Sequence, residues 1–176
     1  MSDLPDPTRP IAAEPASQRD LERMIRVDHA GEYGARQIYA GQLAVLGHSR
    51  HGDTLRHMQA QEQHHLDKFS QLITERRVRP TALLPLWRVA GFALGAATAA
   101  LGARAAMACT VAVEETIDGH YARQEAALGG GEADLRDTIA KFRAEELEHR
   151  DIGLANDAEQ APFYRLLSAV IRTGCK

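Results

Sequence analysis

The strongest constraint on the fold is an acid and an imidazole placed inside an apolar helical stripe. One face of a helix predicted in the C-terminal half carries Leu135, Ile139, Phe142, Glu146, His149 and Ile152. Their spacing of three and four residues is that of one helix face, so Glu146 and His149 stand where core side chains are expected. An ionised carboxylate in a core is costly unless something compensates it. A metal ion is the compensation that also uses a histidine one turn away.

The same pattern recurs in three other predicted helices. A second Glu-x-x-His pair, Glu62 and His65, interrupts the apolar stripe of residues 55–72. Glu32 and Glu114 each occupy a core position one helix upstream of a pair. Pairs with this spacing arise by chance in a chain rich in glutamate and histidine, so the prediction depends on the core positions of all four glutamates.

An internal repeat relates the two halves of the chain. Residues 32–39 match residues 114–121 at an offset of 82, and the two Glu-x-x-His pairs match at an offset of 84. A duplicated helical hairpin would produce this pattern. The repeat therefore predicts four long helices that each contribute one glutamate.

Four such helices, two of them carrying a histidine three residues after the glutamate, are the arrangement of di-iron carboxylate bundles. The predicted fold is all-α, a ferritin-like four-helix bundle with an additional apolar helix and a C-terminal helix. The predicted ligands are Glu32, Glu62, His65, Glu114, Glu146 and His149. Two divalent ions would neutralise the four carboxylates, and Glu62 and Glu146 are the expected bridges. Carboxylate-rich ligation with open positions suits iron or manganese more than structural zinc.

An apolar segment separates the two halves. Residues 89–103 carry no charge, but as a helix they reach only about 22 Å, against roughly 30 Å of bilayer hydrocarbon. Two interpretations stay open, a buried core helix or a segment lying in the membrane interface. The many small residues favour the interface for about residues 82–104, with Phe92 and Leu94 facing the lipid.

The ends of the chain and its charge limit the alternatives. Residues 1–16 contain four prolines and are predicted to be disordered, which leaves one domain at 17–176 with a last helix beginning at Pro162. The net charge of −3, without a basic run, argues against nucleic acid as a partner.

Cys109 and Cys175 match no metal or redox spacing and predict core thiols in a reducing compartment. We see no signal peptide and expect the cytosolic side.

Five segments of the chain carry a specific pattern: RVDHAGEYGA (26–35), QEQHH (61–65), residues 79–113, CTVAVEETIDGHY (109–121) and FRAEELEHRDIGL (142–154). In these segments the chain resembles the demethoxyubiquinone hydroxylases. It implies a ferritin-like fold, two iron ions per chain held by the six predicted ligands, and a peripheral protein on the cytoplasmic side of the cell membrane. It also implies O₂-dependent hydroxylation of a polyprenyl benzoquinol in ubiquinone biosynthesis. His120 and Tyr121 match the family's HY pair near the substrate and are the catalytic candidates.

Other functions of similar bundles remain open from the residues alone. They are an iron-storage or peroxidase protein, a hydroxylase of a modified tRNA base, and a helical interaction domain. A rubrerythrin-like peroxidase would need a Cys-x-x-Cys site that the sequence lacks, and the tRNA alternative predicts a basic face. A homo-oligomer, or a complex with other proteins of ubiquinone biosynthesis, is compatible with the resemblance.

Overall fold

The computed structural model describes residues 16–175, and in that range the chain is all-α. Its helices are α1 (Gln18–Leu46), α2 (Gly52–Glu75), α3 (Leu84–Ala100), α4 (Ala103–Ala127), α5 (Ala133–Ala155) and α6 (Tyr164–Gly174). The all-α prediction is confirmed. The segment predicted to be disordered lies outside the described residues except for Ala16.

The start of α1 follows its local sequence signal, whereas the start of α6 does not. Ser17 and Asp20 form a capping box at the start of α1, as their spacing predicts. The prediction that the last helix begins at Pro162 is wrong, because Phe163 adopts a left-handed conformation with φ of 56°. A left-handed residue cannot continue a right-handed helix, so α6 starts at Tyr164.

The four long helices α1, α2, α4 and α5 enclose the core, which has two main apolar clusters. One cluster includes Ile25, Phe69 and Phe142, and the other includes Leu55 and Met58. Along each of the four helices, the predicted ligands lie between residues of the first cluster and residues of the second. The polar centre is therefore closed by apolar side chains towards both ends of the bundle.

Helix α3 packs on the outside of α1 through small residues. A Cβ atom added at Gly95 would overlap the carbonyl oxygen of Ile38, and one added at Gly41 would overlap that of Phe92. The small residues of α3 thus pack closely against α1, because the glycines let the two helix backbones approach each other. Leu94 turns inward against the cluster of Ile38, so only Phe92 of the two residues expected to face lipid is exposed.

The opposite face of α3 is apolar and exposed. Leu86, Val89 and Phe92 are 56%, 68% and 43% accessible, so α3 is not a buried core helix. Within residues 16–175, no helix combines the length and the apolar character needed to cross a membrane.

Candidate metal centre

The structure brings all six predicted ligands together in the middle of the bundle. Glu32 lies on α1, Glu62 and His65 on α2, Glu114 on α4, and Glu146 and His149 on α5. None of the six side chains is more than 1% exposed. Burying four carboxylates in one space is costly unless cations or protons compensate their negative charge.

The six residues form two overlapping groups. Half-site A contains Glu32, Glu62, His65 and Glu146, and half-site B contains Glu62, Glu114, Glu146 and His149. In each group, one potential ligand atom per residue lies within 4.8 Å of all the others. Glu62 and Glu146 belong to both groups, which is the position that a bridging carboxylate between two ions must occupy.

Unpaired buried atoms indicate that the centre fits cations. Both carboxylate oxygens of Glu62 and one oxygen each of Glu32, Glu114 and Glu146 are buried without a hydrogen bond. Nδ1 of His149 is 3.1 Å from Oε1 of Glu62, but the two atoms are not aligned as donor and acceptor. Oxygen and imidazole lone pairs directed into one closed space are the donor set of a metal site.

The electrostatics of the six side chains also favour a bound cation. Burial, followed by repulsion from neighbouring carboxylates, raises the pKa of Glu62 and of Glu114 well above the usual value. Burial alone would raise the pKa of Glu146, yet the ring of His149, 3.3 Å away, and the hydrogen bond with His65 hold it at about 2. Burial would lower the pKa of His65, but Glu146 and then Glu32 raise it to about 11. Without metal, the protein must therefore compensate the carboxylates with protons.

The outer nitrogen of each histidine has a partner on the opposite hairpin. Nε2 of His65 is 2.6 Å from Oε2 of Glu145, and Nε2 of His149 is 2.9 Å from Oε1 of Gln61. Sequence reasoning missed both partners because they lie beside the apolar stripes. The sequence offered one signal for them: each partner directly precedes the glutamate of a Glu-x-x-His pair.

Two tyrosines hold the unpaired glutamates across the bundle. The hydroxyl of Tyr39 donates a 2.7 Å hydrogen bond to Glu114, and the hydroxyl of Tyr121 donates to Glu32. The structure thus places the predicted residue Tyr121 in contact with the centre. Sequence reasoning missed Tyr39, although the internal repeat aligns it with Tyr121.

The other catalytic candidate, His120, lies outside the group. Its ring is partly buried on α4, and Nδ1 is 3.0 Å from the guanidinium of Arg123. Burial and the Arg123 charge lower the pKa of His120. His120 and Tyr121 are adjacent in sequence but face different directions, as successive helical residues must.

A further buried carboxylate, Asp28, lies one helical turn before Glu32. Oδ1 of Asp28 accepts a 2.7 Å hydrogen bond from Gln124, whereas Oδ2 has no partner. Burial raises the pKa of Asp28 well above the usual value. Asp28 belongs to neither half-site.

Comparison with known proteins places the whole bundle in one family. The family model described as ubiquinone biosynthesis protein COQ7 matches residues 19–176. A 3-demethoxyubiquinol 3-hydroxylase of Rhodospirillum rubrum is 57% identical over 94% of this chain and 79% of its own length. A human mitochondrial NADPH-dependent 3-demethoxyubiquinone 3-hydroxylase is 55% identical over 91% of this chain and 76% of its own length. A mitochondrial 5-demethoxyubiquinone hydroxylase of Saccharomyces cerevisiae is 43% identical over 89% of this chain and 74% of its own length.

Proposed function

The chain belongs to the COQ7 family of ubiquinone biosynthesis proteins, and we propose that it is a 3-demethoxyubiquinol 3-hydroxylase acting as a di-iron monooxygenase. The observation that carries the di-iron part is the pair of buried half-sites that share Glu62 and Glu146. The names of the relatives favour hydroxylation over iron storage, peroxidase activity or tRNA modification. The buried acids argue against a plain interaction domain, which would have apolar residues at these positions.

In this proposal the chain holds two iron ions per molecule. Glu32 and His65 complete half-site A, Glu114 and His149 complete half-site B, and the two shared glutamates serve both. Bound ferrous ions supply electrons and open coordination positions for O₂, which is chemistry for oxidation rather than hydrolysis. One oxygen atom enters the ring, and the other leaves as water with two electrons and two protons from a reductant.

The protein's own residues prepare the site for this reaction. Tyr39 and Tyr121 fix the two unshared glutamates by hydrogen bonds, and the apolar clusters exclude bulk water from both ends. We assign Tyr121 to the catalytic centre through its contact with Glu32. His120, partly buried beside it on α4, is the proposed contact for the quinol head group.

The apolar surface supports an approach of substrate from a membrane. The exposed face of α3 is accompanied by Phe163, Leu166 and Val170 at α6, which are 82%, 64% and 62% exposed. Leu94 of α3 packs on the same cluster as Ile171 of α6, so the two helices lie on one side of the bundle. We propose that this side binds the cytoplasmic surface of the cell membrane peripherally, where a polyprenyl quinol is dissolved.

An isotope experiment tests the reaction. The iron-loaded protein, a demethoxyubiquinol analogue and a reductant are exposed to ¹⁸O₂, and the product is analysed by mass spectrometry. We expect one labelled oxygen atom in each product molecule, two irons per chain, and no turnover by Glu146→Ala, which loses a ligand of both half-sites. Label from water, or full activity of Glu146→Ala, would refute the monooxygenase assignment.

A further inference from the structure

We propose that the two metal positions are chemically inequivalent because their histidines have different outer partners, a carboxylate for His65 and an amide for His149. Glu145 and Gln61 are then positioning residues that act through the histidines. The inference rests on the proposed di-metal function and adds which position binds metal first. We expect half-site A to bind a metal ion more tightly than half-site B.

The two histidines have matching orientations in the two halves of the repeat. Nδ1 of His65 faces the centre, 3.3 Å from Glu32 and 3.0 Å from Glu146. Nδ1 of His149 also faces the centre, 3.1 Å from Glu62 and 3.3 Å from Glu146. Both Nε2 atoms point away from the centre, so the geometry of the repeat is preserved while the chemistry of the partners differs.

The partners occupy equivalent positions. Gln61 directly precedes Glu62 on α2, and Glu145 directly precedes Glu146 on α5. Each reaches across to the histidine of the other hairpin, at 2.9 Å for Gln61 and 2.6 Å for Glu145. The two halves therefore differ at this position by one formal negative charge.

A carboxylate partner changes the imidazole more than an amide does. A carboxylate only accepts hydrogen bonds, so Nε2 of His65 carries a hydrogen, and a metal that displaces the proton on Nδ1 binds the lone pair of that nitrogen. Hydrogen bonds to charged acceptors are about twice as strong as neutral ones and raise the basicity of the ligand nitrogen. Through a neutral amide oxygen, Gln61 orients His149 without adding charge.

The surroundings keep this difference in place. The ring of Phe142 stacks on that of His65 with centroids 4.0 Å apart and limits its rotation. Among the lysine and arginine side chains that the structure describes, Lys141 lies nearest to Glu145, but its Nζ is 3.8 Å away and its side chain is 59% exposed, so solvent weakens the compensation. Half-site A therefore keeps excess negative charge, which favours a cation there.

Metal titration of the full-length protein tests the inference. The metal-free protein is titrated anaerobically with Co²⁺, and binding is followed by visible absorption. We expect two ions per chain with affinities separated by about 10- to 100-fold, the usual effect of an outer partner of a metal-ligating histidine. Mössbauer spectra of ⁵⁷Fe-loaded protein should show two distinct iron environments of equal area.

Exchanging the partners gives matched variants. Glu145→Gln should weaken the tight step and merge the two steps and the two iron signals. The double variant Gln61→Glu with Glu145→Gln moves the carboxylate to His149 and should restore the separation, which a merely structural role would not do. Glu148→Gln, an exposed residue on the same helix, should titrate like the wild type.

The outcomes separate this inference from the proposed function. Two equal binding steps in the wild type, or separate steps that persist in Glu145→Gln, would overturn the inequivalence but leave the di-metal site intact. Failure of the wild type to bind two ions would overturn both. A folded double variant that does not recover two separate steps would also refute the role of Glu145.

Discussion

Replacing Glu62 by glutamine should make the metal-free protein less sensitive to pH while removing a carboxylate that both proposed half-sites share. Glu62 is fully buried, and neither carboxylate oxygen has a hydrogen bond. Burial, then the charges of Glu146 and Glu32, raises the pKa of Glu62 well above its usual 4.5. Glutamine has nearly the same shape but no proton to lose.

The sign of the pH effect follows from the raised pKa. The folded protein keeps the Glu62 proton over a pH range in which the unfolded chain has released it. The contribution of Glu62 to the free energy of unfolding is therefore fully present below about pH 4.5. It decreases as the pH rises towards the pKa of Glu62 in the folded protein. One retained proton changes the free energy of unfolding by about 1.4 kcal/mol per pH unit. Between pH 5 and pH 7, Glu62 alone accounts for a loss of up to about 3 kcal/mol in the free energy of unfolding.

Urea unfolding followed by circular dichroism, with and without Fe²⁺ under anaerobic conditions, measures this effect. Metal-free Glu62→Gln should lose less stability than the wild type between pH 5 and pH 7, by about 1 to 3 kcal/mol. Added Fe²⁺ should stabilise the wild type most at the higher pH, where the ligands lose protons more easily. Glu148→Gln serves as the exposed control. Identical pH profiles of metal-free wild type and Glu62→Gln would refute the reasoning.

Three further changes test other parts of the molecule. Tyr39→Phe removes the 2.7 Å hydrogen bond to Glu114 and should weaken the looser metal-binding step about tenfold in a Co²⁺ titration; unchanged affinities would contradict it. Val89→Asp with Phe92→Asp places charges on the exposed face of α3 and should abolish binding to liposomes while iron content is retained; loss of iron with intact binding would make this face structural. Gly95→Ala should lower the free energy of unfolding by about 1 to 3 kcal/mol, because its Cβ would overlap the backbone of α1; a thermal transition equal to the wild type would show that α3 can shift freely.

The sequence could predict the helices and the convergence of the six residues for one physical reason. Helical periodicity is local, and a glutamate within an apolar stripe must point where its apolar neighbours point. Four such stripes in a bundle have a single common interior. The positions of Glu32 and Glu114 therefore follow from residues three and four positions away on the same helix.

Contacts between helices were less predictable. Glu145 lies beside its stripe, where a solvated side chain is the usual case, and only the packed structure shows that it reaches His65 on another helix. The pairing of Glu115 on α4 with Arg172 of α6 likewise appears only in the packed structure. The inward turn of Leu94 depends on which face of α3 contacts α1, and the glycines that decide this have no side chains to reveal it.

The duplication explains why neither hairpin can form the centre alone. Half-site A takes Glu32, Glu62 and His65 from the first hairpin but needs Glu146 from the second, and half-site B has the reverse requirement for Glu62. The tyrosines cross in the same way, since each hairpin's tyrosine holds the other hairpin's unshared glutamate. Each half thus contains buried polar groups whose hydrogen-bond partners lie in the other half. Because each half-site takes residues from both hairpins, a metal ion bound there would stabilise the docking of the two halves, and docking would in turn favour metal binding.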